Sequence, residues 1–192
     1  MGAGTIQNTI ALFKEAFHGL NVEVSMIQLE ALGIMVHEAM TAQARSFHTP
    51  EHIFELSDGS NPTQALAALF HDVVYYEIDQ GFTPEVEVVL APYLVMGEEM
   101  LCLAEEVDAS DTAFHLTLDV FGFEPGQRLQ PSAGQNELLS TLLMNKKLEE
   151  IVRAGDLVKI SACIEATIPF RGKNEAGDSP AKALEKRLEE IN

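Results

Sequence analysis

The stretch ALAALFHDVVYY, residues 65–76, is apolar on nearly every side when it is drawn as a helix. A helix without a polar face has to lie inside a protein, where other elements cover all of its sides. Turn-forming residues precede it in SDGSNP, residues 57–62, and follow it in GFTP, residues 81–84. The pattern therefore predicts a buried central helix over about 64–76.

The rest of the chain repeats apolar residues at helical spacing, and alternating strand patterns are nearly absent. The one weak strand candidate is 86–89. We therefore predict an all-α protein, a compact helical bundle that forms one domain over residues 1–192. The other predicted helices are 5–17, 22–43 with Asn21 as its N-cap, 51–56, one or two short helices within 85–103, 111–121, 135–152, 156–168 and 181–191.

Acidic side chains outnumber basic ones by 30 to 12, which gives a formal net charge of −18. Nucleic acid and anionic membranes are excluded as partners, because binding them needs a basic surface and the chain has no run of Lys or Arg. No stretch approaches the roughly 18 apolar residues of a transmembrane helix, and the N-terminus lacks a signal-peptide pattern. We expect a cytoplasmic protein in which Cys102 and Cys163 are reduced.

The predicted last helix carries an apolar stripe of Leu184, Leu188 and Ile191. Such a stripe needs a partner surface, either within the domain or in residues outside this sequence. The sequence does not give the oligomeric state, and a homo-oligomer is kept as an alternative to a monomer.

A histidine and an aspartate, His71 and Asp72, stand side by side in the apolar central helix. Burying both costs on the order of several kcal/mol unless they pair with each other or bind a metal. Two more histidines, His48 and His52, lie in the segment just before this helix. Because imidazole and carboxylate groups together bind divalent cations, we predict a metal site of His48, His71 and Asp72, with His52 as an additional ligand. A buried His–Asp pair without a metal is the alternative.

The segments RSFHTPEHIFEL, residues 45–56, and ALAALFHDVVYY together resemble the HD superfamily of metal-dependent phosphohydrolases, in a branch of uncharacterised members. The resemblance implies a compact helical bundle with a metal at its centre, His48 as the first ligand and the His–Asp dipeptide as the central pair. It also implies a last aspartate ligand on a helix well downstream, which this chain does not match. Either the parent protein continues beyond Asn192 and supplies that ligand, or Glu165 or another acid replaces it.

Other polar residues are candidates for the same site. Arg45 can bind a phosphate with two hydrogen bonds, or pair with a glutamate of the predicted helix 51–56. Asn136 and Glu137 open a predicted helix, where they either cap it or form a polar wall of the pocket. Glu165 lies among apolar residues, so its charge needs a metal, an arginine or a histidine as partner.

The resemblance implies hydrolysis of a small phosphate ester or a nucleotide, with Mn, Fe, Zn, Ni or Mg as the metal. The metal would lower the pKa of a bound water, Asp72 would orient or deprotonate that water, and Arg45 would neutralise phosphate charge. One alternative is a binding or scaffold protein that retains a metal without turnover. Another is a di-iron oxygenase, with His52, His115 and Glu165 as extra ligands.

Overall fold

The computed structural model describes residues 2–41, 50–97 and 100–191. Over these ranges the protein contains ten helices and one short antiparallel hairpin, which confirms the predicted all-α class. The helices are α1 (Gly2–Gly19), α2 (Met26–Met40), α3 (Pro50–Ser57), α4 (Pro62–Phe70), α5 (Tyr76–Asp79), α6 (Pro84–Leu90), α7 (Thr112–Phe121), α8 (Gln135–Leu148), α9 (Ala154–Glu165) and α10 (Pro180–Ile191). The hairpin is formed by β1 (Leu94–Met96) and β2 (Leu101–Leu103). No helix within the described ranges has the length and apolar character needed to span a membrane.

The central helix α4 begins with a capping box and is then buried. The side chain of Asn61 accepts a hydrogen bond from the amide of Gln64 at 3.0 Å, and the side chain of Gln64 accepts one from the amide of Asn61 at 3.1 Å. Pro62 occupies the first turn, where its missing N–H is not needed. Residues 65–70 are all buried, so the predicted central helix lies where its composition requires.

This helix ends at Phe70 and not at the predicted residue 76. The reason is tertiary: the amide of Val74 donates to the hydroxyl of Ser140 at 3.0 Å, and the amide of Tyr76 donates to Oδ1 of Asn136 at 3.2 Å. Side chains of α8 thus replace the carbonyl partners that a continuing helix would supply. The His–Asp pair therefore lies at the end of α4 and not in its middle.

One hydrophobic cluster takes residues from α1 through α9. Helix α4 packs against α1, α3, α8 and α9, while α7, α8 and α9 pack against one another. Phe13 contacts Phe17 and Phe70, with ring centroids 5.9 and 5.6 Å apart, and such aromatic pairs stabilise beyond burial alone. This packing fixes the C-terminal end of α4 between α3, α8 and α9.

Helix α2 begins later than predicted, because Ser25 and not Asn21 is its N-cap. The hydroxyl of Ser25 accepts from the amide of Gln28 at 3.3 Å, and the Gln28 side chain accepts from the amide of Ser25 at 3.1 Å. Asn21 instead has a φ of 57°, a left-handed conformation that asparagine tolerates better than most residues. The helix ends at Met40, with Thr41 as its C-cap, and not at the predicted residue 43.

Of the one or two short helices predicted within 85–103, interrupted near Pro92 or Gly97, the structure has one, α6, and a hairpin takes the place of the second. Helix α6 includes the strand candidate 86–89, and a 3-10 turn with Pro92 follows it. In the hairpin Leu94 pairs with Leu103, and Met96 pairs with Leu101. The second strand has buried leucines on either side of a half-buried cysteine, an alternation too short to be distinguished from helical spacing in the sequence.

The last helix, α10, packs back onto the helical core. Its apolar stripe of Leu184, Leu188 and Ile191 is partly buried against that core, and Nε of Arg187 donates to the carbonyl of Val120 at 2.8 Å. The partner surface of the stripe therefore lies within the domain, which was the first of the two predicted alternatives.

Candidate metal site

Three of the predicted site residues meet at the C-terminal end of α4. One potential ligand atom each from His52, His71 and Asp72 lies within 4.8 Å of the others. His71 and Asp72 are buried, and His52 is half-buried. Three side chains at this spacing can reach a single cation. Among the residues that the structure describes, these are the ones that form such a group of histidine, cysteine or acidic side chains.

Two predicted site residues, Arg45 and His48, belong to the segment 42–49, which lies outside the described residues. The metal contact of His48 and the phosphate contact of Arg45 therefore stay predictions. His52, which the sequence indicated only as an additional ligand, is a full member of the group. It lies in the short helix α3, whose packing against α4 carries the side chain to the site.

His71 is oriented by its own helix. Its Nδ1 lies 2.9 Å from the carbonyl oxygen of Ala68, and because a carbonyl only accepts, this nitrogen carries a hydrogen. Its Nε2 therefore faces Asp72, whose Oδ2 lies 2.8 Å away. A nitrogen lone pair that faces a carboxylate is stabilised either by a proton shared between the two atoms or by a metal ion that lies beside them and binds both.

The surroundings of His71 favour that positive charge. Burial lowers the pKa of His71, but the hydrogen bond and the charge of Asp72, the carbonyl of Ala68 and the charge of Glu137 raise it. The net effect is a pKa above the ordinary value for histidine. The same electrostatic preference would stabilise a divalent cation.

His52 is the third member of the group. The imidazole rings of His52 and His71 have centroids 5.6 Å apart and are tilted by 47° to each other. Two imidazoles and one carboxylate form a mixed set of nitrogen and oxygen ligands. Such a set suits Mn, Fe, Zn or Ni better than Ca, which prefers oxygen ligands alone.

The first turn of α8 brings Glu137 into electrostatic range of the pair. Burial raises the pKa of Glu137, its own backbone amide lowers it, and the negative charge of Asp72 raises it again. The charges of His71 and Arg171 act in the opposite direction, and the net pKa is raised. Glu137 does not belong to the group of three, so it is an acidic neighbour of the site and not one of its ligand atoms in this geometry.

Asn136 does not cap α8, and its role as a wall of the pocket stays a prediction. Its Oδ1 accepts from the amide of Tyr76, while the cap position of α8 is taken by Gly134 in the left-handed region, at a φ of 91°. Ser140, which the sequence analysis missed, holds the amide of Val74 from the next turn of α8. The signal was present, because residues four apart on a helix lie on the same face.

Glu165 is fully buried, and its partners are arginines. Both of its carboxylate oxygens accept hydrogen bonds from Arg171, and Oε1 also accepts from Nη2 of Arg187 at 2.6 Å. Of the three predicted partners for its charge, the structure therefore has the arginine. Glu165 is not part of the group of three, and neither is His115, whose Nε2 lies 3.1 Å from the carbonyl of Asp108.

A cleft of about 520 Å³ adjoins the group of three, and His71 belongs to both. It lies between α4, the C-terminal end of α9 and the turn that follows α3. Its size falls within the range of about 300–1,000 Å³ that is usual for small-molecule sites. Comparison of the chain with protein-family models, with curated proteins and with solved structures found no match.

Proposed function

We propose that this protein is a metal-dependent phosphohydrolase that acts on small phosphate esters. The observation that carries the proposal is the convergence of His52, His71 and Asp72 within 4.8 Å at the end of a buried helix, beside a cleft. A divalent cation held there would act as a Lewis acid and lower the pKa of a bound water. The resemblance to HD phosphohydrolases points to the same chemistry.

The described side chains can each be given a role in this reaction. Nε2 of His71, a carboxylate oxygen of Asp72 and one nitrogen of His52 would hold the cation. His48 adds a further ligand from the segment before α3. Asp72 also orients the attacking water, and Glu137 is the nearby carboxylate that can hold its proton. Arg45 neutralises charge on the phosphate.

A second candidate function is a binding protein that retains a metal without turnover. It is favoured by one observation: Glu165, the acid proposed to replace the missing aspartate ligand, is engaged by two arginines. The di-iron alternative receives no such support, because His115 and Glu165 contact other groups within the described ranges.

Elemental analysis of the full chain, purified without added metal, tests the site. We expect about one divalent metal per chain, retained in the surface control His18→Gln and lost in both His52→Gln and Asp72→Asn. Metal retained in all three variants would contradict the assigned ligands.

A panel of phosphate esters assayed with Mn, Mg, Ni and Co then tests the reaction. We expect turnover that depends on the metal and disappears in Asp72→Asn. A chain that is fully loaded with metal but hydrolyses no ester would refute the phosphohydrolase and support the metal-retaining binding protein. Metal near two per chain would instead favour the di-iron enzyme.

A further inference from the structure

The cleft beside His71 has apolar walls close to His52, His71 and Asp72. Ala67 and Ala68 of α4 face Cys163 of α9 across it. These small side chains leave space and offer no hydrogen bonds, so this part of the cleft suits carbon atoms of a ligand. The polar groups lie further along, where the turn after α3 contributes Asp58 and α4 contributes Gln64.

The charge of this cleft restricts what it can hold. Among the described residues that line it there is one acid, Asp58, and no lysine or arginine. Arg171 and Arg187 are not among the lining residues, and both donate to Glu165. The chain as a whole carries a formal net charge of −18. A second anionic group on a ligand would therefore meet the like charge of Asp58, and no lysine or arginine among the described lining residues would balance it.

In the proposed site the divalent cation, part of whose charge Asp72 balances, and Arg45 are both assigned to one phosphate group. We infer, on the basis of the proposed function, that the substrate is a phosphate monoester with one phosphate and a compact alcohol part that is uncharged or cationic. Polyphosphates and esters of carboxylate-bearing alcohols are rejected by the same cleft. Hydroxyl or ammonium groups of the alcohol part donate to Asp58.

The reaction balances with water as the only co-reactant. The oxygen of one water forms a bond to phosphorus, the bond between phosphorus and the alcohol oxygen breaks, and that oxygen leaves with a proton. The products are inorganic phosphate and the free alcohol.

The test compares glycerol 3-phosphate with 3-phosphoglycerate, two esters of similar size that differ by a carboxylate. In the metal-loaded full chain we expect kcat/KM to favour glycerol 3-phosphate by about fivefold or more, the factor expected for one unit charge near another at a solvated surface. Asp58→Lys should remove most of this preference by raising kcat/KM for 3-phosphoglycerate. Glu150→Lys, which changes the net charge equally at an exposed position of the chain, should leave the preference unchanged.

Equal rates for the two esters in the wild-type protein would overturn the inference while leaving the proposed function intact, as would equal effects of Asp58→Lys and Glu150→Lys. If neither ester nor any other is hydrolysed, the proposed function fails. Binding of the same two esters to the metal-loaded chain, measured by isothermal titration calorimetry, then decides the inference. Tighter binding of glycerol 3-phosphate that is lost in Asp58→Lys supports the charge preference of the cleft, and equal or reversed binding overturns it.

Discussion

Replacement of Glu165 by glutamine separates a structural role of this buried acid from a role as metal ligand. The carboxylate accepts from Nη2 of Arg171 at 3.1 Å and from Nη2 of Arg187 at 2.6 Å, and its side chain is 1% exposed. Glutamine keeps the shape but removes the charge that balances two guanidinium groups. Loss of a buried partner costs about 3–5 kcal/mol. The arginine side chains are 24% and 23% exposed, so water recovers part of that energy.

We therefore expect Glu165→Gln to lower the free energy of unfolding by about 2–3 kcal/mol. For a chain of this size that corresponds to a fall in Tm of about 4–12 °C, measured by circular dichroism. The metal content of the same preparation should stay at the wild-type level. The control is Glu190→Gln, an exposed change on α10, which should shift stability by no more than about 0.5 kcal/mol.

Two results would refute this reasoning. A variant with the Tm of the wild-type protein would show that the two arginines do not need the negative charge of Glu165. A variant that keeps its Tm but loses its metal would identify Glu165 as a ligand, and the contacts described above would then belong only to the metal-free chain.

Three further predictions concern the site and the core around it. Chelation should lower the Tm of the wild-type protein and leave that of Asp72→Asn unchanged, because a ligand stabilises only the state that binds it. Ser140→Ala leaves the buried amide of Val74 without its hydrogen-bond acceptor, so the free energy of unfolding should fall by about 1–3 kcal/mol in urea titrations; an unchanged midpoint would contradict the bond. Burial raises the pKa of Asp111, but hydrogen bonds from Tyr93 and Lys146 hold it below its ordinary value. Its stabilising effect is therefore present above the unfolded pKa and is lost as the pH falls through the folded pKa. Asp111→Asn should destabilise at pH 7 and less near pH 3, about one unit below the unfolded value. Equal destabilisation at both pH values would exclude an electrostatic origin.

The central helix was predictable because its composition leaves no polar side to expose. The same composition made the His–Asp dipeptide conspicuous, since an apolar helix cannot carry both groups without a partner for their charge. The end of α4 was not predictable, because it depends on side chains of α8 that replace the helical hydrogen bonds of Val74 and Tyr76. These residues lie far apart in sequence and meet only through packing.

The hairpin and the cap of α2 were missed for a different reason. In both places the local signal fits two structures equally well. Asn21 suits a helix cap and a left-handed turn, and three residues of β2 are too few to distinguish a strand from a helix. For residues 101–103, burial decides between strand and helix, because Leu101 and Leu103 both lie in the core when the segment is extended.

The sequence by itself determined the helical class, the buried central helix and the His–Asp pair as the candidate site, because burial of a charged pair allows few arrangements. Tertiary structure decided which other residues join them. The packing of α3 on α4 brings His52 to the pair, and the packing of α10 brings Arg187 to Glu165, which then has its counter-charge without a metal. Side chains from separate helices converge only through long-range packing. Helical periodicity in the sequence carries no information about the distances between side chains of different helices.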